Sequence, residues 1–182
     1  MHVVAAIFAV GWIAFWMYWL VAAFSMKRQR VLWSRELRIR AVIVVVLIVL
    51  VHAGVLRDHG LTTNWWRGAG GLVLFGTGLG TAVWARLHIG QNWGTPMSTK
   101  DNPELVTTGP YRYVRHPIYS GILVAVAGTA VALSWSWLLA FVLAAVYFVY
   151  SATVEERMLT AQFPEDYPAY KHSSKMLVPF IF

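Results

Sequence analysis

The sequence contains no cysteine, which excludes a disulfide framework, a thiolate nucleophile and a thiolate-ligated metal at once. Charge is nearly as scarce. Asp, Glu, Lys and Arg make up 13% of the 182 residues, about half the share in an ordinary soluble domain. Acidic residues are fewest, 8 against 15 basic ones. A chain so poor in charge cannot cover itself with a polar surface for water. The 58% of hydrophobic residues equally excludes a disordered chain, which needs low hydrophobicity.

What the chain does have is long apolar runs and aromatic residues. Aromatics reach 15% with ten Trp, a residue that gathers at membrane interfaces. Residues 1–26, 41–56, 68–85 and 116–154 carry no Asp, Glu, Lys or Arg. A bilayer core of about 30 Å takes around 20 helical residues. Spans are therefore predicted at 3–24, 39–56 and 68–88. The last stretch is too long for one crossing, and Ser134-Trp135-Ser136-Trp137 at its centre reads as an interfacial turn. It splits into helices near 117–133 and 137–154. The expected fold is all-α, an integral membrane bundle of five transmembrane helices with a cytosolic loop and a helical C-terminal tail. The first span is read as a membrane helix and not a cleaved signal, because its positive charges follow the apolar run.

Thirteen of the fifteen Lys and Arg fall in the 25–40 loop, the 86–115 segment and the tail after 154. Only Arg57 and Arg67 lie on the other side. The positive-inside rule puts the basic side and the C-terminus in the cytoplasm and the N-terminus outside. The basic charge thus reads as topology and contact with anionic membrane lipids, with no nucleic-acid partner. Small size and the lack of a retention signal favour a prokaryotic inner membrane. Oligomeric state is left open.

The densest polar cluster runs from Leu105 to Gly121, where Arg112, Arg115, His116 and three Tyr stand at the mouth of a membrane helix. Pro117 suits the first turn of that helix, where its missing N–H costs nothing. The helix N-terminus offers free amides to an anionic group. The same residues also suit an interfacial anchor. Glu155-Glu156 is read as the end of the last apolar helix. The hairpin over 117–154 returns both its ends to one surface, so His116 and Glu155 can be neighbours. Carboxylates at a helix C-terminus oppose the macrodipole. The pair could serve a cation, with the arginine serving an anion. The glycines of the third span suit close helix packing better than a nucleotide loop, since no strand precedes them. His52 and His88 fall near span ends as interfacial residues. Without Cys, and without a His/Glu pair at ligand spacing, no metal site is expected.

The run Leu105-Val106-Thr-Thr-Gly109-Pro110-Tyr111-Arg-Tyr-Val-Arg115-His116-Pro117-Ile118-Tyr119 is followed by an apolar hairpin and Glu155-Glu156. Phe163, Tyr167, Tyr170 and Lys171 come after. This order resembles the isoprenylcysteine carboxyl methyltransferase family, grouped with the phospholipid methyltransferases among membrane enzymes that use S-adenosylmethionine. The resemblance covers residues 70–182. It implies that Leu105, Val106, Tyr111, His116, Pro117, Ile118, Tyr119 and Glu155, with Glu156 beside it, bind S-adenosyl-L-methionine. It also implies that Arg115 takes part in the chemistry, on a lipophilic small-molecule acceptor. The family's eukaryotic enzymes carry an Arg just before the acidic run, where it meets the prenylcysteine carboxylate. Here Tyr150 to Val154 hold no base. Phospholipid-amine or small-thiol methylation stays open, as does a nicotinamide-dependent membrane reductase sharing the C-terminal bundle. The chain divides into residues 1–67, two N-terminal helices with a basic loop, and 68–182, the methyltransferase core.

Overall fold

The computed structural model describes residues 2–24, 29–31, 64–93, 98–100 and 104–182, with positions 38, 41, 42, 45, 49 and 54 singly between them. Most of the predicted second span at 39–56, together with His52 and most of the basic 25–40 loop, lies outside the described residues.

The fold is helical. Helix α1 spans His2–Ala23 and α2 spans Trp65–Ile89, continued by a single 3-10 turn at Gly90–Asn92. Helix α3 spans Pro117–Ala132, α4 spans Trp137–Gln162, and a short α5 spans Asp166–Ser173. Among the described residues the strands are two of three residues each. β1 (Gln29–Val31) pairs antiparallel with β2 (Ser98–Lys100), Gln29 opposite Lys100, and links the loop after α1 to the loop after α2. Helices α1, α2 and α4 are long and apolar enough to cross a membrane, while α3 is apolar but shorter.

Two local signals set the ends of α2. Asn64 accepts a hydrogen bond from the Trp66 N–H at 3.1 Å, satisfying a free first-turn amide. At the other end Gly90 takes φ 55°, a left-handed stop open to glycine. The bundle is held by small residues. A Cβ on Gly71 would stand 2.6 Å from the Gly128 carbonyl, and one on Gly78 would stand 2.6 Å from that of Gly121. Helices α2 and α3 therefore cross in backbone contact and run antiparallel. Phe75, one turn from both Gly71 and Gly78 on α2, packs on Phe8 of α1 with ring centres 4.5 Å apart.

Arg86 is buried near the end of α2 and donates from Nη2 to the Ala22 carbonyl at the end of α1, at 2.7 Å. Helices α1 and α2 thus run parallel with their C-termini together. The hairpin turn at 133–136 then makes α4 antiparallel to α3. One end of the bundle collects the C-terminal ends of α1, α2 and α4 and the N-terminal end of α3.

The structure corrects one boundary. Helix α4 does not end at Val154 but runs on to Gln162. Residues after the carboxylate pair are good helix formers up to Pro164, and charge alone does not stop a helix. Glu155 and Glu156 therefore lie within α4, and the opposition to the macrodipole expected of terminal acids does not apply to them. The chain turns at 163–165, where Pro164 lies, while Pro168 falls inside the next helix. It sits in the first turn of α5, where no intrahelical N–H is required.

Candidate active site

The bundle end that gathers the helix termini carries the site. Its floor is the segment entering α3. Gly109 turns the chain at φ 59°, and a Cβ there would lie 2.6 Å from the His88 ring. His88 Nε2 is 2.9 Å from Thr108 Oγ1. A 3-10 turn over Gly109–Arg112 then buries Tyr111, whose hydroxyl donates to the Ala85 carbonyl at 3.4 Å. Burial pushes the Tyr111 phenol up, so it stays a neutral donor.

The C-terminal tail supplies the brace. The Arg115 N–H donates to the Lys175 carbonyl at 2.8 Å, and the His116 N–H to the Met176 carbonyl at 3.1 Å. Tyr170 donates its hydroxyl to the Tyr111 carbonyl at 2.6 Å, and burial pushes that phenol up to about 12. Leu177 is buried, while Phe180, Ile181 and Phe182 at the chain end are exposed. The apolar tail, which hydropathy alone would lay on the membrane, is instead partly knotted into the site through residues 174–177.

Above this floor stands a charged cluster. Arg115 Nε donates to Glu156 Oε1 at 2.7 Å, and its Nη1 reaches the carbonyls of Lys171, at 3.2 Å, and Ser174. Lys171 Nζ lies 2.9 Å from the other oxygen of Glu156. His116 sits between the two carboxylates, Nδ1 at 3.5 Å from Glu155 and Nε2 at 3.7 Å from Glu156. Burial disfavours its imidazolium, but the two carboxylates outweigh burial and raise its pKa above the ordinary 6.5. Nε2 is buried and has no hydrogen-bond partner. Tyr119 donates to Glu155 at 2.5 Å, and its ring stacks between His116 and Phe148, with centres 5.4 and 4.5 Å away.

These groups enclose a pocket of about 130 Å³. Leu105, Val106, Tyr111, Arg115, His116, Pro117, Ile118, Tyr119 and Glu155 all line it. Glu156 does not. It is 3% exposed and stands behind Arg115. Other lining residues carried no sequence signal of their own: Ile89, Asn92, Trp93 and Glu104 at the loop mouth, and Leu159, one turn past Glu155 on α4. Asn92 donates to Glu104 at 3.0 Å, closing that side. Tyr167 and Tyr170 also face the pocket, and their signal was the tyrosine spacing after Phe163. Of the 89–104 loop, 94–97 and 101–103 lie outside the described residues. A second, apolar cleft of about 630 Å³ opens between α1, α3 and α4, and Phe148 belongs to its wall.

Residues 66–166, more than half of the chain, match the model of the phospholipid methyltransferase family. The chain belongs to that family. Its relatives are varied. A nickel-cobalt-cadmium resistance protein of Alcaligenes xylosoxydans xylosoxydans is 33% identical over 69% of this chain and 56% of its own length. The protein-S-isoprenylcysteine O-methyltransferase of Schizosaccharomyces pombe is 33% identical over 53% of this chain and 43% of its own. Methanethiol S-methyltransferase 1 of Bradyrhizobium diazoefficiens is 36% identical over 43% of this chain and 27% of its own. The chain thus spans about half or less of the curated relatives it matches. Among solved structures, a eukaryotic intramembrane Ras methyltransferase, isoprenylcysteine carboxyl methyltransferase, superposes with a TM-score of 0.63 at 22% identity. It covers 82% of this chain and 55% of its own. The shared fold and the long apolar helices make this phospholipid methyltransferase family member an integral membrane protein.

Proposed function

We propose that the chain is a membrane methyltransferase that uses S-adenosylmethionine and acts on a lipophilic acceptor. The observation that carries this reading is one pocket where His116, Glu155, Tyr119 and Arg115 converge, separated by the Tyr119–Phe148 stack from an apolar cleft. The residues fit the donor's chemistry. Glu155 offers a carboxylate to its cationic groups, and the buried, unpartnered Nε2 of His116 offers a hydrogen bond. Ile89, Val106 and Leu159 offer an apolar wall to its base.

Bound S-adenosylmethionine would supply a methyl group on a sulfonium, open to direct displacement. What the chain must do is align two partners at about 3–3.5 Å and keep water away. Tyr119 and His116 fix the Glu155 carboxylate, which positions the cationic end of the donor. Pro117 and Ile118 close the floor. Arg115, pinned at Nε and Nη1, is a positioning residue in this reading: it locks Glu156 and the tail around His116. The catalytic role that the resemblance implies for it would need the guanidinium to leave these bonds. Residues 68–182 form the methyltransferase core, and the site faces the cytoplasm of a prokaryotic inner membrane, with the N-terminus outside.

The acceptor reaches the site from the bilayer through the apolar cleft. A prenylcysteine carboxylate is disfavoured, because residues 150–154 offer no base on α4 just before the carboxylate pair. A small thiol is the second reading, supported by that same lack and by the similarity to a methanethiol methyltransferase.

Calorimetric titration with S-adenosylhomocysteine tests the site. Glu155→Ala and His116→Ala should each weaken binding at least tenfold. Unchanged binding by both removes the site assignment. Consumption of NADPH without incorporation of labelled methyl would replace the reading with a reductase.

A further inference from the structure

Tyr167 opens α5 and is 1% exposed, yet its hydroxyl has no hydrogen-bond partner. Buried hydroxyls are normally paired. Tyr170, one turn on, keeps that rule through its bond to the Tyr111 carbonyl. Burial pushes the Tyr167 phenol up, so it remains a neutral donor seeking an acceptor. A second buried donor on the same pocket wall, His116 Nε2, is also unpartnered. The Ser151 hydroxyl shares this condition but does not line the pocket.

The charges beside the two donors narrow what the acceptor is. Arg115 and His116 line the pocket together with Glu155 and Glu104, and Arg115 is the cation whose field reaches the Tyr167 phenol. Two orphan donors beside a guanidinium fit an anionic oxygen group. We propose that the Tyr167 hydroxyl donates a hydrogen bond to the α-carboxylate of the methyl donor, the one anionic group of an S-adenosyl amino acid. The assignment rests on the methyltransferase reading and adds a donor-positioning residue to it.

The test compares S-adenosylhomocysteine with its decarboxylated counterpart, the same thioether ending in a propylamine, by calorimetry on the full chain without acceptor. Tyr167→Phe keeps the ring and removes only the hydroxyl. It should weaken S-adenosylhomocysteine roughly tenfold or more, as expected for a hydrogen bond to a charged group, and leave the decarboxylated ligand unchanged. Thermal unfolding of the ligand-free variant should match the parent, since no existing bond is lost. Full affinity of Tyr167→Phe for S-adenosylhomocysteine would overturn the proposal, and so would an equal loss for both ligands. If the unaltered chain binds neither thioether, the methyltransferase reading fails and this assignment with it.

Discussion

Glu155 and Glu156 are neighbours in sequence with opposite surroundings. Consecutive helical residues point about 100° apart, so one carboxylate lines the pocket while the other is buried against Arg115 and Lys171. Removing one partner of a buried, hydrogen-bonded ion pair leaves the other charge stranded, at about 3–5 kcal/mol. Glu156→Ala should therefore lower unfolding stability by an amount of that order in detergent solution. Glu155→Gln should leave stability within about 1 kcal/mol, and its effect should show in ligand binding. His116 adds a pH dependence. Its pKa is raised in the folded chain, so the stability it contributes is complete below about pH 6.5 and is lost as pH rises through its folded value. Thermal midpoints should fall on the alkaline side, and His116→Gln should flatten that fall. At this scale the meeting of His116 with Glu155 was legible, because a hairpin must return its ends to one surface. That Glu156 braces Arg115 was not, since the two carboxylates are adjacent in sequence and only the helix phase separates them.

Among the elements, the α2–α3 contact follows most directly from the sequence. Six glycines between 68 and 80 pointed to close packing, and Gly71 and Gly78 make it while Gly68, Gly70, Gly76 and Gly80 have open space around them. Gly78→Ala drives a methyl into the backbone of α3 and should cost about 1–3 kcal/mol. Gly76→Ala meets nothing within 4 Å and should be neutral or stabilising by about 0.5–1 kcal/mol. Denaturant titrations of the two variants separate the packing face from the lipid face. The α4 boundary was misread for a physical reason: hydropathy marks where a helix leaves hydrocarbon, not where its hydrogen bonds end. The tail was not legible in this respect: apolarity laid Met176–Phe182 on the membrane, and it foretold neither the burial of Leu177 nor the backbone bonds that tie residues 174–176 to the segment entering α3.

For the whole molecule, parallel α1 and α2 mean that the chain leaves α1 at the site end and enters α2 from the opposite end. A crossing between them, such as the span expected at 39–56, would close this topology. The absence of cysteine makes the proposed orientation directly measurable. Asn64→Cys and Glu165→Cys place single thiols at opposite ends of the bundle. In intact bacterial cells a membrane-impermeant maleimide should label the first, and reach the second only after permeabilisation. The reverse pattern would put the site on the outer surface.

The aromatic column of His116, Tyr119 and Phe148 has one further consequence. A water-loving reagent and a grease-loving one can each approach in its native solvent, one on either side of the Tyr119–Phe148 pair, and meet where those rings give way. Neither has to be extracted into the wrong phase before they react. Widening or narrowing Phe148 should therefore alter traffic on both sides of that partition together.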